Sequence, residues 1–255
     1  MSVKSFEAQI ISNEVIAKDI YRMVFTMGSE QLSQFVPGQF AHIKVPNMGE
    51  SILRRPISIN GIDKKNGTVT ICYAVVGKGT RALSRLEAGD KMDVLCPLGN
   101  GFPVEEYSKI WVVGGGIGIA PLASVVNNTS GKEVTAFLGY KSKEYVYGLD
   151  DFAKCREVFV TTDDGSFGEK GFVTAAVAKK AEAEKPEAIF VCGPTPLFKA
   201  LKKAVEGLNI KTYISLEQRM GCGTGGCSTC VCKVGGEYKK VCHDGPVFPM
   251  EEVEL

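Results

Sequence analysis

The 255-residue chain contains no apolar run long enough to cross a bilayer, no internal repeat and no low-complexity stretch. Membrane-spanning and solenoid architectures are therefore not predicted. An excess of one charge is also lacking: 30 basic residues stand against 29 acidic ones, a net charge of +1. That balance gives no electrostatic footprint for nucleic acid or for an anionic membrane surface. Histidine is scarce. His42 and His243 are the only two, and neither sits in a recognisable acid–base arrangement, so no histidine-driven proton transfer is predicted. No export leader is recognisable, because Met1-Ser2-Val3-Lys4-Ser5 runs straight into a strand-like segment. With many thiols, that leads to the expectation of a reducing, cytoplasmic setting. What remains is an ordinary globular composition, 44% hydrophobic and 23% charged, at a length that suits two domains or one large one.

Cysteine is not scarce, and its spacing is the most informative feature. Cys222, Cys227 and Cys230 lie in Gly221-Cys222-Gly223-Thr224-Gly225-Gly226-Cys227-Ser228-Thr229-Cys230. The pattern C-x4-C-x2-C is that of a plant-type [2Fe–2S] site. Glycines let the backbone wrap a small inorganic core and point N–H groups at its sulfurs. A disulfide framework fits less well, because nine cysteines is an odd number. Zinc is the competitor, since C-x2-C is also a zinc spacing. Two residues compete for the fourth ligand. Cys232 is two residues beyond Cys230 and would share its strand face. Cys242 follows Gly235-Gly236, where a hairpin would bring it back, and is favoured. Cys72, Cys96 and Cys155 read as buried small hydrophobes.

Along the chain the first hundred residues read as strands at 5–12, 21–27, 39–45, 68–76 and 91–96, separated by turns such as Pro37-Gly38 and Asn66-Gly67. That spacing predicts an antiparallel β-barrel, with residues 80–86 as its one helix. From about residue 103 strands and helices alternate. Strands are expected at 109–113, 133–140, 157–162, 188–192 and 211–216, and helices from 118, at 174–183 and at 196–206. This predicts a doubly wound parallel sheet. The expected division is residues 1–102, 103–218 and 219–255. The last of these is too short for an independent core but suits a lobe stapled by a cluster.

Two glycine turns fall where a phosphate would be held. The strand Ile110-Trp111-Val112-Val113 runs into Gly114-Gly115-Gly116-Ile117-Gly118-Ile119-Ala120-Pro121, at the first strand-to-helix turn of the alternating region. Gly114, Gly116 and Gly118 would let a pyrophosphate approach the backbone and the helix N-terminus. Tight packing is the plainer explanation for any single glycine turn. The second turn is Val76-Gly77-Lys78-Gly79-Thr80-Arg81. Upstream of it, the rigid corner Arg54-Arg55-Pro56-Ile57-Ser58 would present a guanidinium and a hydroxyl to one phosphate. Tyr73, on the strand between, is a candidate neighbour for a bound ring, although barrel core is the commoner fate of such a residue. Two nucleotide sites and one cluster form a chemical set. Nicotinamide moves two electrons together, an iron–sulfur cluster moves one, and a flavin joins the two regimes.

The residues Arg55-Pro56-Ile57-Ser58, Gly79-Thr80, Gly114 to Pro121 and Cys192-Gly193-Pro194 resemble the ferredoxin–NADP reductase superfamily. With Ser215-Leu216-Glu217-Gln218-Arg219-Met220-Gly221-Cys222 and His243-Asp244-Gly245-Pro246-Val247-Phe248, essentially the whole chain resembles the electron-transfer subunits of type B dihydroorotate dehydrogenases. The resemblance implies FAD in the barrel, NAD on the sheet and a [2Fe–2S] cluster in the C-terminal lobe. It implies Arg55, Pro56, Ile57, Ser58, Cys72, Tyr73, Ala74, Gly79 and Thr80 at FAD. It places Gly114, Gly115, Gly116, Gly118 and Pro121 at the nicotinamide nucleotide, and Cys222, Cys227, Cys230 and Cys242 on iron. Cys192 and Glu217 become candidates beside the nicotinamide. A buried thiol and a surface ion pair are their plainer alternatives. The implied partner is an FMN-containing subunit that oxidises dihydroorotate, in a heterotetramer of two copies of each chain. Electrons would pass from that FMN through the cluster and FAD to NAD+, within pyrimidine biosynthesis. The gap of 11 residues between Cys230 and Cys242, and a chain ending Glu254-Leu255 without an aromatic, fit these subunits better than a plant-type reductase. A flavin and iron–sulfur subunit of another NAD(P)H-dependent or bifurcating complex carries the same motifs and is the alternative. A zinc-stabilised binding module is a third possibility, of a different class.

Overall fold

The computed structural model describes residues 5–46 and 53–255. Met1 to Lys4, the segment read above for a leader, lies outside them. Six antiparallel strands close a barrel in the order β1-β2-β5-β4-β3-β6. They are β1 (Phe6–Ala17), β2 (Ile20–Thr26), β3 (Phe40–Lys44), β4 (Arg55–Asp63), β5 (Thr68–Ala74) and β6 (Lys91–Leu98). Strand β6 shows the pattern that makes this possible: Met92, Val94, Cys96 and Leu98 are buried in strict alternation with more open residues. The β4–β5 turn is made by Asp63, whose carboxylate accepts the N–H groups of Lys65 and Asn66, and by Gly67 at φ 66°.

Two expectations for this region need correction. Among the described residues the barrel carries two α-helices, α1 (Ser29–Ser33) and α2 (Lys78–Leu83), where one at 80–86 was expected. Helix α2 begins earlier because Thr80 occupies the third helical position of a capping box, not the start. Its hydroxyl accepts the N–H groups of Val76 and Gly77 at 3.0 and 3.3 Å. The Arg-Arg-Pro corner is in fact the entry to a full strand, β4. Pro56 is only its second residue, a position where the missing N–H is tolerated.

The second sheet has the order β10-β9-β8-β7-β11-β12-β15. Its strands are β7 (Lys109–Gly115), β8 (Glu133–Tyr140), β9 (Glu157–Thr162), β10 (Glu169–Lys170), β11 (Ala188–Cys192), β12 (Lys211–Ser215) and β15 (Val247–Pro249). All neighbours are parallel except β15, which runs antiparallel to β12. The winding goes outward from β7 to β10, then returns to β11 on the other side of β7. The switch point of this doubly wound sheet therefore lies between β7 and β11, where Gly114 is paired with Cys192. Every residue of β11 is buried, as expected of a central parallel strand. Helix α3 (Ile119–Asn127) packs between the sheet and barrel strand β4, while α4 (Val173–Ala183) and α5 (Thr195–Ala204) pack together on the opposite face.

A hairpin, β13 (Val231–Val234) and β14 (Glu237–Lys240), completes the chain's elements. Its turn is Gly235-Gly236, with φ of 60° and 78° at the two residues, the backbone that a two-residue turn between right-twisted strands demands. The C-terminal lobe has no core of its own. Cys230, Val234, Val241, Cys242, Phe248 and Val253 join one apolar cluster with Trp111 and Val113 of β7, and with Phe40 and Leu98 of the barrel. Asn100 pins the lobe to the barrel end. Its amide donates to the carbonyls of Asp244 and Val247 and accepts the Val247 N–H at 3.0 Å.

Candidate functional site

A cleft of about 700 Å3 opens between the barrel and the sheet, within the size range of small-molecule sites. One wall is the start of β4, from Arg54 to Ser58, with Cys72, Tyr73 and Ala74 at the end of β5 and Thr80 of α2. The opposite wall is made by Ile117 and Ala120 of the glycine turn and by residues 215–220, which leave the end of β12. Eight of the nine residues expected at the flavin thus line one cavity. The ninth, Gly79, lies beneath Arg55: a Cβ there would collide with the guanidinium, so the glycine is what lets Arg55 lie across the first turn of α2. Arg55 also donates to the Leu53 carbonyl.

Not every lining residue offers its functional group. The Tyr73 hydroxyl donates to Asn13 Oδ1 at 2.9 Å, and its ring stacks on Tyr21 with centroids 5.6 Å apart. Tyr73 is therefore largely barrel core that reaches the cleft, and burial pushes its phenol above the usual range. Burial likewise pushes the Cys72 thiol up to about 11, against the pull of the Arg22 guanidinium.

The glycine turn after β7 divides by role. At Gly118 a Cβ would lie 2.5 Å from the main chain of Cys192 and Gly193, and at Gly114 it would meet Ile119 at 2.6 Å. These two glycines are required for strand and helix to approach. Gly115 is close to Leu197 and Pro194, and Pro121 is buried within α3. Only Gly116, exposed at φ 56° with open space where a side chain would stand, faces outward. The turn is held from both sides. Tyr147 Oη lies 3.2 Å from the carbonyls of Gly116 and Ile117, and Asn60 of β4 donates to the Ala120 carbonyl at 3.0 Å. Arg22 of β2 reaches Asp151 at 2.7 Å, tying the barrel to the loop that carries Tyr147. Asn60, Tyr147, Arg22 and Asp151 were not picked out from the sequence. None belongs to a spaced motif, and only the tertiary fold brings them together.

Cys192 and Glu217 flank this junction differently. Cys192 is 1% exposed at the end of β11. Desolvation, then the nearby Glu217 carboxylate, push its thiol well above the usual range, so it stays protonated. Glu217 lines the cleft and is exposed by surface area, yet it is hemmed in by protein on most sides, and the resulting desolvation raises its carboxyl above the ordinary value.

The four motif cysteines meet at the far end of residues 215–220. The main-chain N–H of Cys222 points at Cys227 Sγ at 3.3 Å, and that of Cys227 at Cys222 Sγ at 3.4 Å. The N–H of Thr224 also points at Cys222 Sγ, at 3.4 Å. Gly225 N–H reaches Cys242 Sγ at 3.2 Å, and Cys242 N–H reaches Cys230 Sγ at 3.4 Å. Although burial opposes it, this amide cradle brings the Cys222 thiol down to about 6. The Thr229 hydroxyl, 3.1 Å from Cys227 Sγ, lowers that thiol too. Cys242 is pushed up to about 12 by burial and then by Cys230. The sulfurs thus form two neighbouring pairs, 222 with 227 and 230 with 242. Among the described residues no three Cys, His, Asp or Glu side chains are gathered as ligands of one ion. A two-iron core takes two thiolates on each iron. Cys232 instead packs against the shared apolar core. The donor set fits an iron–sulfur cluster.

Comparison with known proteins agrees with this geometry. Residues 7–102 match the oxidoreductase FAD-binding domain, and residues 112–203 match the oxidoreductase NAD-binding domain. Residues 217–254 match the iron–sulfur cluster binding domain of dihydroorotate dehydrogenase B. The electron transfer subunit of dihydroorotate dehydrogenase B (NAD(+)) from Bacillus caldolyticus is 42% identical, over 96% of this chain and 97% of that one. The corresponding subunit of Fusobacterium nucleatum is 41% identical, over 99% of this chain and 100% of that one. Among solved structures, a chain from a study of flavin-based electron bifurcation by NADH-dependent reduced ferredoxin-NADP oxidoreductase superposes with a TM-score of 0.87. It is 33% identical, over 96% of this chain and 89% of that one. Ferredoxin-NADP+ reductase of Plasmodium falciparum, 13% identical over 80% of this chain and 90% of that one, shares the fold at a TM-score of 0.64.

Barrel, sheet and thiolate loop together define an NAD-linked oxidoreductase subunit with sites for FAD and a [2Fe–2S] cluster. Within that class, the chain belongs to the family of dihydroorotate dehydrogenase B electron transfer subunits. Among the described residues no helix is long and apolar enough to cross a membrane.

Proposed function

We propose that this chain carries electrons from the FMN of a dihydroorotate-oxidising partner to NAD+, within pyrimidine biosynthesis in the cytoplasm. When bound, FAD supplies hydride and single-electron chemistry and the [2Fe–2S] cluster supplies single-electron chemistry. One observation carries the reading: Met220 lines the cleft, and Cys222, only two residues further on, is the first thiolate of the cluster loop. The chain thereby sets its flavin cleft directly beside its cluster loop.

The residues divide the work. Arg55, with the Gly79-Thr80 turn, binds the FAD pyrophosphate through charge-assisted contacts. Pro56, Ile57, Ser58, Cys72, Tyr73 and Ala74 form the wall against which the flavin ring is oriented. The turn from Gly114 to Gly118, with Pro121, takes the NAD pyrophosphate, Gly116 being its open face. Glu217 and Cys192 border the nicotinamide. Glu217, with its carboxyl raised by desolvation, faces the nicotinamide, while buried Cys192 shapes the pocket. Cys222 with Cys227, and Cys230 with Cys242, hold the two irons. Thr224, Gly226, Cys227, Ser228 and Thr229 are exposed around the cluster loop, which makes this the face that meets the partner, in an assembly of two copies of each chain. The working units are residues 1–102 for FAD, 103–218 for NAD and 219–255 for the cluster.

A second reading, a subunit of another NAD(P)H-dependent or bifurcating complex, draws on the 0.87 TM-score to the bifurcating oxidoreductase chain. Reconstitution decides between them. NAD+-dependent oxidation of dihydroorotate is expected only when an FMN-containing catalytic partner is added. Turnover by the isolated chain, or a partner that does not oxidise dihydroorotate, overturns the first reading.

A further inference from the structure

His42 is wholly buried on β3, and neither ring nitrogen has a hydrogen-bond partner. Its strand neighbours Ala41 and Ile43 belong to the barrel core, so by strand alternation His42 points out of the barrel. Outward here means toward the cluster loop. A Cβ on Gly223 would collide with the imidazole at Nδ1, and Gly223 holds φ 76°. The main chain of Cys222 lies beside the ring, as does that of Arg54 on β4's approach, and of the two only Cys222 belongs to the cluster loop. On its other side, His42 pairs across the strands with Pro56 of the cleft wall. The ring therefore fills the junction between the flavin cleft and the first thiolate of the loop. A buried polar ring with two idle nitrogens is unusual enough to require a reason. Trp111 Nε1 and Arg22 Nε are idle too, but only His42 stands against the Cys222-Gly223 main chain.

We infer that His42 is a positioning residue for the iron–sulfur loop, donating a ring N–H to the main-chain carbonyl at Cys222 when the loop is closed on its cluster. The inference rests on the cluster assignment proposed above. The imidazole acts as a fixed hydrogen-bond donor. It anchors Cys222 at a set distance from the cleft and keeps water out of the junction. Outer-shell bonds and solvent exposure of this kind tune a metal centre through its ligands.

The test uses the purified holoprotein with His42→Leu, which keeps the volume and removes the donor, and His42→Gln, which keeps a donor. Four quantities are read: iron per chain, the EPR spectrum of the dithionite-reduced protein, the one-electron equilibrium between cluster and FAD, and the rate at which NADH reduces FAD. In His42→Leu the EPR signal should move and the equilibrium shift by about tenfold, which is about 59 mV for a one-electron couple. His42→Gln should fall close to wild type, and both variants should keep FAD and its reduction by NADH. Loss of iron from His42→Leu alone also supports the role. A His42→Leu protein with wild-type spectrum and equilibrium overturns it, leaving only a space-filling ring. Equal changes or equal iron loss in both variants, or loss of FAD, overturn it as well. Wild-type protein that contains no iron sinks the cluster assignment and this role together.

Discussion

In Gly118→Ala the new Cβ would lie 2.5 Å from the carbonyl carbon and oxygen of Cys192 and from the Gly193 nitrogen, where ordinary contact begins at 3.4 Å. All three atoms are main chain at the end of β11, a wholly buried strand. No side chain can rotate away, so the glycine turn itself must withdraw by close to an ångström. Overpacking of this kind costs about 1–3 kcal/mol. In a chain of this length each kcal/mol moves the melting temperature by about 2–4 °C, so a drop of roughly 4–8 °C is expected for the middle of that range. The withdrawal also displaces Ile117 and Ala120, which line the cleft. Misplacement on this scale can cost up to about a hundredfold in rate, so anaerobic stopped-flow reduction of bound FAD by NADH should slow by ten- to a hundredfold at saturation. Gly116→Ala is the control. It meets no atom within 4 Å and incurs only the penalty of φ 56°, about 1–2 kcal/mol. Its new methyl group faces open space, where the NAD pyrophosphate is proposed to lie, so it should weaken apparent NADH affinity with little change in the limiting rate. If Gly118→Ala melts and reacts like wild type, or if Gly116→Ala loses the limiting rate instead, the division of roles within the turn is wrong.

Cys227→Ser should abolish the cluster signal while FAD stays bound and reducible by NADH, because Cys227 lies on the exposed side of the loop; simultaneous loss of flavin on gel filtration would contradict this. Arg55→Ala should weaken FAD binding by roughly ten- to a hundredfold, the worth of a charge-assisted hydrogen bond, as read by titration of the apoprotein; an unchanged dissociation constant leaves Arg55 a solvated surface charge. Acid stability should depend on Glu184, whose carboxyl is held down at about 2 by Lys109 and then Lys180. A depressed carboxyl stabilises the fold above its unfolded value, near 4.5, and that contribution is lost as pH falls from there through 2. Glu184→Gln should therefore lower the melting temperature at pH 7 and show a shallower decline between pH 5 and 2; equal slopes in the two proteins would remove Glu184 from the account.

Legibility in the sequence followed periodicity and spacing. Strand β6 and strands β7, β8, β9, β11 and β12 of the sheet could be read because alternation and apolar runs are local signals, whereas β10, of two residues, and β15, of three, were too short to read. The Gly235-Gly236 turn could be read because few other dipeptides accept two positive φ angles. Strand β4 was hidden by Arg54-Arg55-Pro56, a triplet that looks like a corner, and α1 is only five residues long. In the site, the cysteine spacing and the Arg55 and Gly79 motifs led to residues that the fold brings together. The glycine turn was harder, because sequence does not distinguish a glycine needed for packing, such as Gly118, from one facing open space, such as Gly116. His42 offered no signal at all, since its setting is made by Gly223, some 180 residues away in the chain.

The sheet's two margins are closed by unlike means. At one side β10 is only two residues long, too short a template for another chain to copy. At the other, β12 would present an open row of amides and carbonyls were it not for β15, paired from Tyr213 to Ser215. That covering strand leaves the ribosome after every other strand of the sheet. A nascent chain released before residue 247 would carry a nearly complete nucleotide sheet with one sticky margin, the kind of intermediate that aggregates. The lobe that holds the thiolates thus also serves as the sheet's closing seam. Damage that detaches β15, such as proteolytic clipping at the exposed His243-Asp244 pair, should register first as turbidity, before any loss of flavin absorbance.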